Sequence, residues 1–448
     1  MKSYVPVTSL QGDVMHTLFR QLCDAQELKH PKAFQARFRA AAEELAAADN
    51  DPDLLTCCPA ETTYEAWYYG KRVPQRDARR ILVRMLGHSI EQLWKPAADE
   101  THRDDPGALT NMRRSAEMAA RRAREFALGA ERGQLGDETL GFLQDEVARI
   151  AAVYQRVPLP TLFPDLSAAQ EDAFRLIEGG RVRPSQMRQL QICASLLSWF
   201  MSKASHDMGD MHSAMMQART AGVCAEQAEH PALLAAVDGP KSLITYWAGR
   251  PDDAVFFARK GAAEHPTLRG SVSAWLPALE ARAAALVGDA EAVHAANQRA
   301  TSARADITPD ELDNLGGILT FTEAKHAYYA AESRVLLGLS DTETTEAVVA
   351  AAHAYQDRGT DYWAYGDEAG TQCNVALVRL HADALDGAAD ALRPVLDLPP
   401  AQRNKGIVVS AGRVATTLTN SPARTSVLAR ELREEIAQFT TVRLALPS

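Results

Sequence analysis

The string AGRPDDAVFFA at residues 248–258 decides the fold, because it joins a turn glycine and acidic turn residues to alanines spaced three or four positions apart. Glycine accepts the left-handed backbone that ends many helices, and alanine at this spacing lets neighbouring helices approach closely. The same layout recurs in MGDMHSAMMQA at 208–218, VGDAEAVHAA at 287–296, LGLSDTETTEAVVAAA at 337–352 and LDGAADAL at 385–392. Each string is predicted to form the turn of a helix hairpin.

The five turn glycines follow one another at intervals of 40, 39, 50 and 49 residues. They are Gly209, Gly249, Gly288, Gly338 and Gly387. Helix hairpins that repeat about every 34 to 47 residues stack into α-solenoids such as tetratricopeptide (TPR) arrays. The intervals in this chain are close to that range. The sequence therefore predicts an all-α protein in which residues 186–448 form an α-solenoid of TPR-like helix hairpins.

The composition is that of an ordinary folded protein. Hydrophobic residues make up 46% of the 448-residue chain and charged residues 24%, which excludes a disordered, collagen-like or disulfide-scaffold protein. The six cysteines include no CxxC pair, and neither a secretory signal peptide nor a run of 18 apolar residues is found. We expect a reduced, cytoplasmic protein with no membrane partner.

The formal net charge of −10 is unevenly distributed along the chain. Residues 1–160 carry 22 Lys or Arg and 23 Asp or Glu, whereas residues 161–448 carry 26 and 35. Within the first part, residues 62–95 hold seven basic and three acidic side chains. A protein whose whole surface bound nucleic acid would be basic overall, so only a local basic patch fits this distribution.

The first part of the chain is predicted to contain a separate domain. Residues 1–96 have the pattern of a helix-turn-helix-like module of five short helices, and residues 97–185 that of a helical linker region. Thr62 or Thr63 is expected to cap the third helix, and Gly70 is expected to end it.

The third helix of this module combines aromatic residues with cations. Four aromatic residues lie at 64–69, and Lys71 and Arg72 follow directly. Polar residues at the start of such a helix can reach base edges in DNA, while flanking cations contact phosphates. The plainer interpretation is that Trp67 belongs to the core and that the cations form a solvated face.

Motifs of common enzyme classes are missing from the sequence. It has no GxxxxGK[ST] phosphate loop, HExxH zinc helix, GxSxG nucleophile elbow or GxGxxG dinucleotide loop. The closest histidine pair, His206 and His212, lacks a Cys or carboxylate partner at ligand spacing and is interpreted as surface or packing residues. The sequence therefore predicts no catalytic residue, no metal site and no cofactor.

Two stretches, FQARFRAAAEEL at 34–45 and TTYEAWYYGKRVPQRDARRILVRMLGHSIEQLW at 62–94, carry a family resemblance. Together they resemble the degenerate helix-turn-helix of actinobacterial XRE-type (Cro/repressor-like) regulators with a TPR-like C-terminal half. Later strings such as SLITYWAGRPDDAVFFARKG at 242–261 resemble that C-terminal half, so the resemblance covers most of the chain. The matching positions in the module are Thr62, Trp67, Gly70, Pro74, Gly87 and Leu93.

The resemblance implies a transcriptional regulator whose N-terminal module binds double-stranded DNA. It also implies that the repeat domain senses a ligand or mediates homodimer formation. The residues that it assigns to DNA contact are Thr62, Thr63, Glu65, Tyr68, Tyr69, Lys71, Arg72 and Arg76. Residues 54–60 depart from the family pattern, because LLTCCPA replaces the usual polar helix before recognition, and this puts DNA contact in doubt.

The repeat domain offers a candidate binding face of its own. The first helix of each hairpin lines the inner surface of such arrays, which clasps an extended peptide or a small molecule. Counting back from the turn glycines gives the predicted effector-binding residues Trp199, Lys241, Thr245, Tyr246, Glu280, Lys325, Tyr328 and Asn374. The aromatic members of this set equally suit packing between hairpins.

Two functions remain open at this point. The leading hypothesis is a homodimeric DNA-binding regulator controlled by a small-molecule or peptide effector in the TPR-like groove. The alternative is a protein-interaction scaffold whose module no longer binds DNA, which the acidity of the repeats favours. An exposed helix at 62–69 is expected for the regulator, and a buried one for the scaffold.

Overall fold

A computed structural model describes residues 17–26, 28–49, 51–74, 77–95, 116, 119, 122, 135–180 and 182–441. The described residues form α-helices, short 3-10 helices and connecting turns, and no strand occurs among them. The predicted all-α fold is therefore confirmed. The chain divides into two compact units, 1–116 and 117–448, which are described separately.

The first unit contains the five predicted helices in its described part. They are α1 (Leu18–Ala25), α2 (Pro31–Asp49), α3 (Glu61–Tyr68), α4 (Asp77–Leu86) and α5 (Ile90–Leu93), with a 3-10 turn at Pro52–Thr56. Their core is rich in aromatic residues. The rings of Phe34 and Tyr64 stack at 4.3 Å between centroids, and the Phe38 ring lies 6.4 Å from that of Trp67. Trp67 is a core residue, as its plainer interpretation held.

The two ends of α3 differ in how well the sequence predicted them. Gly70 follows the helix with φ +66°, a conformation that costs glycine little, so the predicted stop is correct. The N-cap residue is Ala60, which has no side-chain acceptor, and the helix begins at Glu61. The predicted cap at Thr62 or Thr63 is therefore wrong, since both threonines lie within the first helical turn.

The second unit is a stack of helix hairpins, seven of which lie in the described residues. They are α6–α7 (Asp137–Val153, Leu159–Glu178), α8–α9 (Pro184–Asp207, Met211–Gln227), α10–α11 (Pro231–Trp247, Pro251–Glu264), α12–α13 (Val272–Leu286, Ala290–Ala305), α15–α16 (Glu323–Leu336, Thr342–Ala354), α17–α18 (Tyr365–His381, Leu385–Leu396) and α19–α20 (Lys405–Asn420, Val427–Thr441). The predicted linker region contains α6 and α7, and both pack against α8.

Four of the five predicted hairpin turns carry their glycine where expected. Gly209, Gly249, Gly288 and Gly338 all have φ between +71° and +85° and separate the two helices of a hairpin. The fifth prediction is wrong, because Gly387 lies inside α18. Asp383 takes the turn there with φ +56°, which Asp tolerates better than most residues.

A segment without hairpin pattern interrupts the stack between α13 and α15. This inserted segment, residues 306–322, contains α14 (Glu311–Leu315) and a 3-10 turn at Gly317–Leu319. A Cβ atom on Gly317 would lie 2.0 Å from the carbonyl oxygen of Ala151, so the segment rests directly on the end of α6. Leu312 and Phe321 are buried.

Hairpins that lie far apart along the second unit contact each other. Arg156, which follows α6, donates from Nη1 to the carbonyl oxygen of Thr360 at 2.8 Å. Helix α10 meets α19, where a Cβ atom on Gly406 would lie 3.3 Å from the Trp247 ring. The unit's own helices and the inserted segment thus enclose its inner surface, which the sequence had suggested would be a groove.

None of the helices in the described part of the chain is long and apolar enough to cross a membrane.

Candidate functional site

The inner helices of the second unit surround a cavity of about 120 Å³ that opens to solvent at a mouth. The first helix of each hairpin, or the loop beside that helix, contributes to the wall, and so does the inserted segment. The second helices contribute none of the wall residues. A space of this order can hold a molecule with about one aromatic ring.

Aromatic rings form much of the cavity wall, and glycines make room for them. A Cβ atom on Gly239 would lie 2.2 Å from the ring of Trp275, and one on Gly370 would lie 2.1 Å from Oη of Tyr328. Only a residue without a side chain permits these close approaches. Trp199 is fixed by a hydrogen bond from Nε1 to the carbonyl oxygen of Ala236 at 3.0 Å.

The first charged group in the wall is a lysine–aspartate pair on α8. The Lys203 ammonium donates to Asp207, one helical turn further on. Tyr154 donates its hydroxyl to the other oxygen of Asp207 at 3.1 Å. Burial, together with the Asp207 carboxylate, raises the pKa of Tyr154 well above its ordinary value, so this phenol stays protonated and remains a donor.

The second charged group is a pair between α15 and α17. Lys325 Nζ lies 3.1 Å from Oδ2 of Asp367, and Tyr355 donates its hydroxyl to the same carboxylate oxygen at 3.3 Å. Burial opposes the charge on Lys325, but the attraction of Asp367 outweighs it and the pKa of Lys325 is raised. The lysine is therefore a permanent cation at neutral pH.

The third charged group consists of two arginines that share one carboxylate. It lies partly in the cavity wall and partly behind it. Arg282 is 2% exposed, and its Nε lies 2.6 Å from Glu332 without hydrogen-bond geometry. Arg413 lies 3.4 Å from the other oxygen of Glu332. The Arg282 guanidinium also lies 4.0 Å from the Tyr329 ring centroid and 4.7 Å from that of Tyr246, and such ring faces stabilise a buried cation.

His206 lies in the wall as a neutral side chain. It is 3% exposed, and its Nδ1 has no hydrogen-bond partner among the described residues. Burial lowers the pKa of His206 to about 4, with Lys203 and Lys405 acting in the same direction and Asp207 against it. The imidazole is thus uncharged at neutral pH.

The arrangement supplies binding groups: ring faces, two ammonium donors and buried hydroxyls. Within the described ranges, no group of three or more His, Cys, Asp or Glu side chains could hold a metal ion. Burial raises the pKa of Cys373 to about 12, which leaves the thiol protonated and poorly nucleophilic.

The structure brings together only part of the predicted effector set. Trp199, Lys325 and Tyr328 line the cavity. The other five predicted residues do not line it, and they are Lys241, Thr245, Tyr246, Glu280 and Asn374.

Each of these five has a different environment. Lys241 pairs with Asp238 at 2.9 Å, and the Thr245 hydroxyl donates to the backbone of its own helix. Glu280 is turned toward the outer helices, where it binds Arg259 and Arg299. Tyr246 packs behind the wall against the two arginines. Asn374 is buried, and its Nδ2 has no partner among the described residues.

Sequence reasoning missed several wall residues that carry charge. They are Lys203, Asp207, Arg282 and Asp367, and the neutral His206 was missed as a wall residue as well. A usable signal existed on α8, because Trp199, Lys203 and His206 are spaced by four and three residues and therefore share one helix face.

In the first unit, α3 presents one side to solvent and the other to the core. Thr62 and Glu65 are exposed, and Thr63 is half-buried. Tyr68 was predicted to contact DNA, but it is only 4% exposed and donates its hydroxyl to Asp24 of α1, so it belongs to the core. Tyr69 is 40% exposed.

The turn after α3 carries two exposed cations. Lys71 and Arg72 have no carboxylate within ion-pair distance among the described residues. By contrast, Arg80 pairs with Asp51 at 2.9 Å and Arg84 with Glu44 at 3.7 Å. The predicted contact residue Arg76 lies outside the described residues.

Neither a protein-family model nor a curated protein nor a solved structure matches the chain.

Proposed function

We propose that the protein is a transcriptional regulator that binds double-stranded DNA through α3 and the following turn and is controlled by a small molecule bound in the cavity of the repeat unit. The observation that carries the proposal is that one compact unit has an exposed helix face followed by two cations with no carboxylate partner among the described residues, and the other unit has an aromatic cavity.

The DNA-binding part rests on the exposed side of the first unit. Thr62 and Glu65 sit near the start of α3, where side chains of a recognition helix reach base edges. Lys71 and Arg72 are free to contact phosphates, because no carboxylate in the described residues neutralises them. A homodimer would place two such helices on two half-sites, which is how single weak modules gain specificity.

The effector part rests on the enclosure of the cavity. The inner surface is bounded on one side by the contact between Arg156 and Thr360, so it forms a cavity with a mouth and not a continuous groove for an extended chain. A small molecule therefore fits better than a peptide, and this disfavours the scaffold alternative, in which the array clasps a protein segment.

A gel-shift experiment with the full-length protein and genomic fragments at low and moderate salt tests the DNA-binding part. We expect retarded fragments, and we expect Lys71→Ala plus Arg72→Ala to weaken binding about tenfold. Loss of two phosphate contacts also lowers the slope of log K against log salt by about 2.

The matched control removes the same amount of charge from the same unit. Arg80→Ala plus Arg84→Ala deletes two cations that are already paired with carboxylates, so DNA affinity should change little. If no fragment is retarded by the intact protein, or if both double variants lose the same affinity, DNA contact by the α3 turn is refuted.

A further inference from the structure

The charges in the cavity wall do not cancel. Three cations and two carboxylates belong to the wall, and they are Lys203, Arg282, Lys325, Asp207 and Asp367. Glu332, behind the wall, does not restore the balance, because it is shared between Arg282 and Arg413. The buried network therefore carries one positive charge in excess.

The two wall lysines also have unused hydrogen-bond donors. An ammonium group has three N–H donors. The described contacts use one donor of Lys203 on Asp207 and one of Lys325 on Asp367. Each lysine can therefore offer a further charge-assisted hydrogen bond without losing its aspartate.

The rest of the wall is aromatic, so it favours a ligand with a flat, apolar ring system. Three indole rings, those of Trp199, Trp247 and Trp275, and the ring of Phe321 lie in the wall. Aromatic faces favour a planar partner that stacks on them, and apolar area removed from water adds to the affinity. The enclosed volume excludes a folded protein domain.

We propose that the cavity binds a small aromatic carboxylic acid, with its carboxylate on the ammonium group of one wall lysine, Lys203 or Lys325, and its ring among the tryptophans. The carboxylate compensates the excess positive charge, and the ring system fills the apolar part. This inference rests on the proposed function, since it names the effector class of the same cavity, but binding itself requires no DNA.

The test compares carboxylates with their neutral amides on the full-length protein by isothermal titration calorimetry and tryptophan fluorescence. The probes are benzoate and benzamide, 2-naphthoate and 2-naphthamide, and indole-3-acetate and indole-3-acetamide. Each pair keeps the ring and changes only the charge. We expect at least one carboxylate to bind, with a dissociation constant about tenfold or more below that of its amide, the size of one lost charge-assisted hydrogen bond.

Variants locate the carboxylate. Either Lys203→Gln or Lys325→Gln should remove most of the preference for the acid, and the variant that does so identifies the lysine that holds the carboxylate. The double variant Lys325→Gln plus Asp367→Asn loses the ammonium without leaving Asp367 unpaired, so it guards against simple misfolding. The matched control is Lys260→Gln, which alters an aspartate-paired lysine on α11 outside the cavity wall and should keep the preference.

Three results would overturn the proposal: no probe binds, every amide binds as tightly as its acid, or the preference survives in both the Lys203 and the Lys325 variant. These failures are distinct from failure of the regulator proposal. A protein that prefers the acids but retards no DNA keeps this inference and loses DNA binding, and the converse result does the opposite.

Discussion

The buried side chain of His206 makes the stability of the protein depend on pH. Burial lowers its pKa in the folded protein to about 4, against an ordinary value of 6.5. The unfolded chain therefore binds more protons between these two values, and the stabilisation is present above about pH 6.5 and is lost as pH falls toward 4. The difference corresponds to about 3 kcal/mol.

The prediction is checked by urea unfolding between about pH 4 and pH 8. The free energy of unfolding of the wild type should fall more steeply below pH 6.5 than that of His206→Gln. His212→Gln is the matched control, because His212 is exposed, and it should keep the wild-type slope. Parallel curves for wild type and His206→Gln would show that the imidazole already carries its proton in the folded state.

Among single residues, the sequence predicted a cavity residue correctly only where a suitable side chain also lay on the face of its helix that lines the cavity. Trp199, Lys325 and Tyr328 were predicted because they are polar or aromatic residues of first helices, and all three line the cavity. Tyr246 and Glu280 have equally suitable chemistry, but α-helical rotation turns them behind or away from the wall. Helical register relative to neighbouring hairpins depends on tertiary packing, which local spacing does not determine.

The inserted segment supplies five residues of the cavity wall, between Leu312 and Phe321. Gly317 has φ +56°, and its Cα lies against the backbone of Ala151, so any Cβ there meets a carbonyl oxygen at 2.0 Å. Gly317→Ala should destabilise the protein by about 3 kcal/mol, combining left-handed strain with overpacking against backbone. It should also weaken binding of the carboxylate probe.

Gly288→Ala is the control for backbone strain alone. Gly288 has φ +75°, but a Cβ atom there would meet nothing within 4 Å. This variant should lose only about 1 kcal/mol and keep its probe affinity. The measurements are urea unfolding and calorimetry on both variants. Equal losses of stability and affinity in the two variants would mean that the contact with α6 does not hold the segment in place.

Hairpin elements were more predictable than the segment between them. Glycine at positive φ, followed by an acidic turn, located four hairpin turns because this conformation is costly for most other residues. The glycine pattern did not locate the fifth turn, because Asp383 adopts the same backbone conformation there. The predicted turn glycine, Gly387, lies inside the helix that follows. The inserted segment has no 3.6-residue periodicity, so neither α14 nor its closure of the cavity was foreseen.

For the whole molecule, the negative net charge conceals two sites that are locally positive. The chain carries −10 overall, yet the turn after α3 presents two cations without a carboxylate partner in the described part of the chain, and the cavity wall holds one excess positive charge. Charge counted along the sequence located the first of these sites. It could not locate the second, because the wall residues come from helices far apart in sequence.

The central claim is that occupancy of the cavity controls DNA binding. Fluorescence anisotropy tests it most directly. A genomic fragment that the protein retards is titrated with full-length protein, once without the carboxylate probe and once with the probe at saturation. Regulatory couplings are typically about 1–3 kcal/mol, so we expect the dissociation constant for DNA to change at least about fivefold. The lysine variant that loses the preference for the acid should abolish that change. An unchanged DNA affinity, while calorimetry shows the cavity filled, would contradict the account.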